Sequence, residues 1–146
     1  DGYDIKTMMK GMEASFKKRN EILTRVQNHE PVSNPELATI NALESTVEMY
    51  DRGYSFAPLN VMTSQATQFS IDEKKNQVIP ALTSINGLGE SVALQIIKAR
   101  NEHPFTSVND LMERAHVGQT MIEKLRSVNA LDGLPDDDQM TLFDML

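Results

Sequence analysis

No cysteine occurs anywhere in the chain. Disulfides, thiolate metal sites and cysteine nucleophiles are therefore excluded, an absence that fits a reducing, cytoplasmic setting. Long apolar runs are missing too. None approaches the roughly 18 residues that a membrane span requires, and no charged-then-apolar signal segment opens the text, so no membrane partner is expected. Histidines are few: His29, His103 and His116 stand far apart, none with a partner at i, i+4, so turn or surface positions are expected rather than a zinc site. Basic charge is also short. The formal net charge of -7 argues at first against a polyanionic partner. Its distribution alters that reading, because residues 79–131 carry five acidic and five basic side chains, whereas 132–146 carry five acidic ones and no basic one.

What is present suffices for a core: 146 residues, 40% of them hydrophobic, make one ordinary domain or two small ones. The chain begins at Asp1 without a methionine, and an apolar stripe is under way by Ile5, which is the look of a piece of something longer. That stripe, Ile5, Met8, Met9, Met12, Phe16, Ile22, Leu23 and Val26, keeps i, i+3, i+4 spacing and predicts one amphipathic helix with the methionines in the core. After the break "NHEPVSNPE", Asn34 as N-cap and Pro35 open a second helix that turns Leu37, Ile40, Leu43, Val47 and Tyr50 inward and ends at Gly53. From Tyr54 to Val78 short alternations in "YSFAPLNVM" and "ATQFSID" predict short strands.

After Pro80 the text becomes helical in shorter pieces. "IPALTSINGLGESVALQIIKARNEH" holds two apolar helical runs joined by Asn86-Gly87-Leu88-Gly89; "TSVNDLMERAHVGQTMIEKLRSV" holds another pair joined by His116-Val117-Gly118, with Ser107 and Asp110 placed like a capping box. Gly87 and Gly89 are both able to take positive φ, so the turn exposes successive backbone amides while Leu88 tucks between the helices. The helix opening near Glu90 adds its free amides and the positive end of its dipole, and together these hold a phosphate without a basic side chain. Ala93 permits a close crossing, and Leu82, Ile85, Val92, Ile96 and Ile97 supply a small core. The tripeptide alone also fits a plain helix connector.

Taken together, Leu82, Ile85, Gly87, Leu88, Gly89, Ala93, Ile96 and Ile97 resemble the helix-hairpin-helix family of non-sequence-specific DNA-binding modules, whose tandem copies are bridged by segments like "PFTSVNDLM", with Phe105, Val108 and Leu111 stapling the units. The resemblance implies backbone-phosphate contacts from Gly87, Leu88 and Gly89, supplemented by Lys98 and Arg100; such contacts position a protein without reading bases. The second hairpin has only Gly118 where the pattern has two glycines, which leaves phosphate contact and a purely structural turn as alternatives there.

The acidic tail turns abruptly apolar. Gln139-Met140-Thr141-Leu142-Phe143 resembles the short motif by which bacterial replication proteins dock on the sliding clamp, with Leu142 and Phe143 entering an apolar cleft, Gln139 at its rim and Met140 alongside. The alternative is a tail folded back on its own domain; terminal placement after Asp136-Asp137-Asp138 favours the partner. Tandem hairpins and this motif together make the chain resemble the carboxyl end of the PolC-type replicative DNA polymerase III alpha subunits. The resemblance implies a mainly α fold with a small β element: 1–78 as the end of a fingers-like region, 79–131 as the tandem hairpin domain, 132–146 as the clamp-binding tail. Duplex DNA, the sliding clamp and the rest of the polymerase are the implied partners. Magnesium and the catalytic carboxylates belong to the parent enzyme; Asp72-Glu73 and Asp136–Asp138 sit in polar, turn-like text, and the segment itself is expected to be catalytically inert. A free-standing hairpin DNA-binding protein and an interaction domain without DNA contact are the rival readings.

Overall fold

The structure, a computed structural model, describes residues 2–137. The motif expected at Gln139, Met140, Thr141, Leu142 and Phe143 lies outside them. Two compact units form: the first takes the residues up to Ala57 together with Ile71–Val78, the second takes Pro58–Ser70 and the residues from Ile79 on. A single cut after residue 78 therefore misses one segment, since 58–70 groups with the hairpins.

In the first unit the expected single amphipathic helix is two. Helix α1 spans Ile5–Lys10 and α2 spans Met12–Gln27. Between them Gly11 adopts φ 130°, ψ -179°, a conformation that a side chain disfavours and that no helix can continue through. Asp4 caps α1 by accepting the Thr7 amide. The break redirects the stripe: Ile5, Met8 and Ile22 are buried, but Met12 and Phe16 are 44% and 50% exposed and Val26 also faces out. Met12 is thus not a core residue. The following helix is also divided, into α3 (Asn34–Ala38) and α4 (Ile40–Asp51). Its N-cap is Ser33, not Asn34, because only Ser33 has a glutamate three residues on. The Ser33 hydroxyl accepts the Glu36 amide while the Glu36 carboxylate accepts the Ser33 amide, a reciprocal capping box. At the joint the Thr39 hydroxyl and amide both donate to the Glu36 carbonyl, which tightens the turn and interrupts the ladder. Leu43 is buried on α4 as expected, whereas Leu37 is exposed. Tyr50 packs edge-on against Phe56, and its hydroxyl donates to the Met8 carbonyl at 2.9 Å.

Three strands, β1 (Ser55–Phe56), β2 (Ser70–Asp72) and β3 (Gln77–Ile79), form a sheet of order β1-β3-β2, with β1 and β3 parallel and Phe56 opposite Val78. The expected small β element is present. The remainder of "YSFAPLNVM" is a turn rather than a strand: Asn60 accepts the Met62 amide, and the Ser64 hydroxyl accepts the Asn60 amide.

The second unit buries Leu59, Val61, Leu82, Ile96, Leu111, Ile122 and Leu125 in one core. Its helices are α5 (Glu90–Glu102), α6 (Val108–Ala115) and α7 (Gln119–Ser127). The helix expected ahead of Gly87 is a single 3-10 turn, Leu82–Ser84. Arg114 on α6 joins the two hairpins: its guanidinium lies 5.1 Å from the centroid of the Phe105 ring, donates to the His103 carbonyl at 2.9 Å and to the Ala99 carbonyl, and pairs with Asp110. Phe105, Val108 and Leu111 are all buried beside it, as a stapling bridge requires. Among the described residues no helix is long and apolar enough to cross a membrane.

Candidate nucleic-acid interface

The two hairpin turns adopt the same backbone from different sequences. Gly87 has φ 84°, and His116, at the equivalent point, is left-handed at φ 56°, ψ 47°. Leu88 and Val117 follow, each buried as the wedge between helices. Gly89 (φ -80°, ψ 171°) and Gly118 (φ -86°, ψ 172°) then serve as N-caps of α5 and α7. Their carbonyls accept the Ala93 and Ile122 amides, the first hydrogen bonds of each helix. The paired-glycine rule therefore understates the second hairpin, because histidine tolerates the left-handed region better than most side chains.

One expectation is corrected here. Gly89 does not take positive φ; the turn needs a left-handed residue only at Gly87. What distinguishes Gly89 and Gly118 is open space: a β-carbon on either would meet no heavy atom within 4 Å. Both glycines are exposed. Neither α5 nor α7 has a side-chain cap, in contrast to α6, where the Ser107 hydroxyl accepts the Asp110 amide at 2.9 Å. The first-turn amides of α5 and α7 thus face outward at glycine entries, an arrangement suited to an anionic oxygen.

The basic residues divide. Lys98 is exposed on α5. Arg100 is not free in the way the resemblance implies: its Nη1 donates to the Val61 and Ser64 carbonyls at 3.0 and 2.8 Å, and burial lowers its pKa. It helps hold the 58–70 segment on the hairpin core, together with the Val61 amide on the Ala130 carbonyl and the Leu82 and Thr83 amides on the Gln65 and Ala66 carbonyls. Lys124 was not singled out by spacing. It lies in the last turn of α7, and its ammonium occupies the space that a β-carbon on Gly87 would take. Only the packing of one hairpin on the other brings these residues together, so no local pattern carries that signal.

The tail leaves from this unit. The Val108 and Asn109 amides at the start of α6 donate to the Pro135 and Asp136 carbonyls at 2.8 and 3.1 Å, and Asp136 pairs with Arg126 at 2.7 Å. Asp110 is held below its ordinary pKa: partial burial, which acts the other way, is outweighed by the Thr106 amide and Arg114. His29, His103 and His116 are exposed at turns or helix ends. Among the described residues no three His, Asp or Glu side chains converge as a metal site.

Comparison with known proteins points the same way. The family model described as "Helix-hairpin-helix motif" matches residues 53–140. DNA polymerase III PolC-type of Streptococcus pneumoniae serotype 2 (strain D39) is 40% identical over 144 residues, 99% of this chain and 10% of that protein. The proteins of the same name from Ureaplasma parvum serovar 3 and Lactococcus lactis subsp. lactis are 36% and 39% identical over 98% and 97% of the chain. The chain spans about a tenth of the length of these relatives.

Proposed function

The chain belongs to the helix-hairpin-helix family, and from that premise we propose that it is the non-catalytic carboxyl-terminal part of a PolC-type replicative DNA polymerase, gripping duplex DNA through backbone amides and docking on the sliding clamp through its tail. The observation that carries the DNA half is the repeated turn: left-handed residue, buried apolar wedge, extended glycine at an uncapped helix start, twice in one unit. Two such turns supply two phosphate sites. In this reading Gly87, Leu88 and Gly89 form one, Gly118 with His116 and Val117 the other, and Lys98 adds a cation. Phosphates carry no sequence information, so the grip tolerates any duplex. The clamp half rests on Gln139-Met140-Thr141-Leu142-Phe143 and on relatives named as polymerases. The first unit is assigned to the end of the fingers-like region, the second to the duplex- and clamp-binding region, and polymerase chemistry with its magnesium to the rest of the parent enzyme in the cytoplasm.

Fluorescence anisotropy with duplexes of unrelated sequence tests the DNA half. Equal affinities that fall steeply with salt are expected. Binding that is sequence-selective, or absent at low salt, overturns it.

A further inference from the structure

Besides Arg114, a second charged side chain brings the two hairpins together, at the turn of the first. The Lys124 ammonium, carried by the second hairpin's α7, stands over the Gly87 α-carbon of the first, with Cε and Cδ at 3.4 and 3.7 Å from where a β-carbon would be. Gly87 is the left-handed residue of the first turn, exposed, and directly precedes the wedge and the open entry of α5. Among the described residues the ion pairs are all made by arginines, so the Lys124 ammonium, like the other lysines, meets no carboxylate and keeps its charge at Gly87.

The geometry points to Lys124 as a phosphate ligand of the first hairpin, supplied by the second. This rests on the reading of Gly87–Gly89 as a phosphate site. It adds that the site is composite. Backbone amides alone orient an anion but contribute only partial charges, whereas an ammonium at Gly87 contributes a full one to the same oxygens. A side chain on Gly87 would push that ammonium aside, so glycine there serves both the φ of 84° and the seat of Lys124. The tandem arrangement then has a function beyond doubling the contacts: the first hairpin's site is complete only when the second is docked against it.

The test uses the full chain and a duplex of arbitrary sequence, titrated at several salt concentrations. Lys124→Gln is expected to weaken binding about 3- to 5-fold and to reduce the slope of log affinity against log salt by about 0.9, the signature of one lost phosphate contact. Lys124→Arg should restore most of the slope. Lys17→Gln, on α2 of the other unit, changes the net charge equally and should leave the slope unchanged. Combining Lys124→Gln with Gly89→Val should cost less than the two single losses together, because both act on one phosphate. If Lys124→Gln leaves affinity and slope unchanged while Gly89→Val weakens binding, the first hairpin holds phosphate without Lys124 and the composite site is refuted alone. If neither variant changes binding, the phosphate reading of the hairpin falls with it. Thermal melts of each variant separate these outcomes from loss of fold.

Discussion

At Gly87 and Gly89 the same added methyl group has different consequences. Gly87→Ala places a β-carbon on the Lys124 ammonium and forces alanine to φ 84°, and the left-handed conformation alone costs about 1–2 kcal/mol. It should lower both the melting temperature and DNA affinity. Gly89→Ala is accommodated at φ -80° with open space around it, so its stability cost should stay below about 1 kcal/mol, the exchange of one N-cap residue for a poorer one. Its DNA affinity should still fall, because the methyl group stands where the phosphate is proposed to sit. Melts and binding curves on the same two proteins check both halves. Glu36 offers a second residue-scale test. The Arg25 guanidinium, together with the amide and hydroxyl of Ser33, holds its carboxyl down at about 2, below the ordinary 4.5. A carboxylate depressed in the folded state contributes stability above its unfolded pKa and loses it as pH falls through the folded one. The contribution should be intact above pH 4.5 and fade towards pH 2, and Glu36→Gln should flatten that part of a melting-temperature profile against pH.

Helix α6 is tied down at both ends. Ser107 caps it, Pro135 and Asp136 receive its first two amides, and Arg114 in its last turn reaches back to carbonyls at the end of α5. The chain beyond Leu134 is thus part of the fold for at least two residues before the proposed clamp motif begins. Two truncations separate the roles. Removing 139–146 should abolish clamp binding with little change in melting temperature. Removing 135–146 should also lower the melting temperature, since two amides lose carbonyl partners worth roughly 1 kcal/mol each. Equal melting temperatures for the two proteins would show that the Pro135–Asp136 contacts do not stabilise α6.

For the whole molecule the relevant quantity is how a chain of net charge -7 would hold a polyanion, as the proposed function requires. In the proposed function backbone amides at two helix entries bring positive partial charge to phosphate without a basic surface, and five of the acidic side chains are confined to the last fifteen residues. Duplex affinity should therefore be modest, and association with the clamp should supply the rest by raising the effective concentration of DNA at the hairpins. Replacing Leu142 and Phe143 by Ala should weaken clamp binding by more than about 30-fold, the usual consequence of losing pocket-filling anchors. Surface-immobilised clamp measures this directly. Unchanged clamp affinity, or a marked fall in melting temperature, would instead make the tail a core element.

Local pattern alone determined the position of both hairpin turns, the region of the short strands and the capping serine of α6, because each depends on residues within a few positions of one another, while the fold class followed from the family resemblance that those motifs carry. They did not determine where helices break. Gly11 and Thr39 divide two continuous apolar stripes, and the turn of the chain at Gly11 puts Met12 and Phe16 on the surface. Nor could spacing show that His116 would adopt the left-handed backbone of Gly87, a choice made by the packing of Val117 between α6 and α7. The fates of three cations were likewise tertiary. Arg100 and Lys98 lie two residues apart on α5, yet one is bound to the carbonyls of Val61 and Ser64 and the other is free in solvent. Lys124 meets Gly87 only because the two hairpins dock on each other. A side chain's local spacing says which face of a helix it shares; which distant carbonyl or turn lies opposite that face is decided when the units of the core come together.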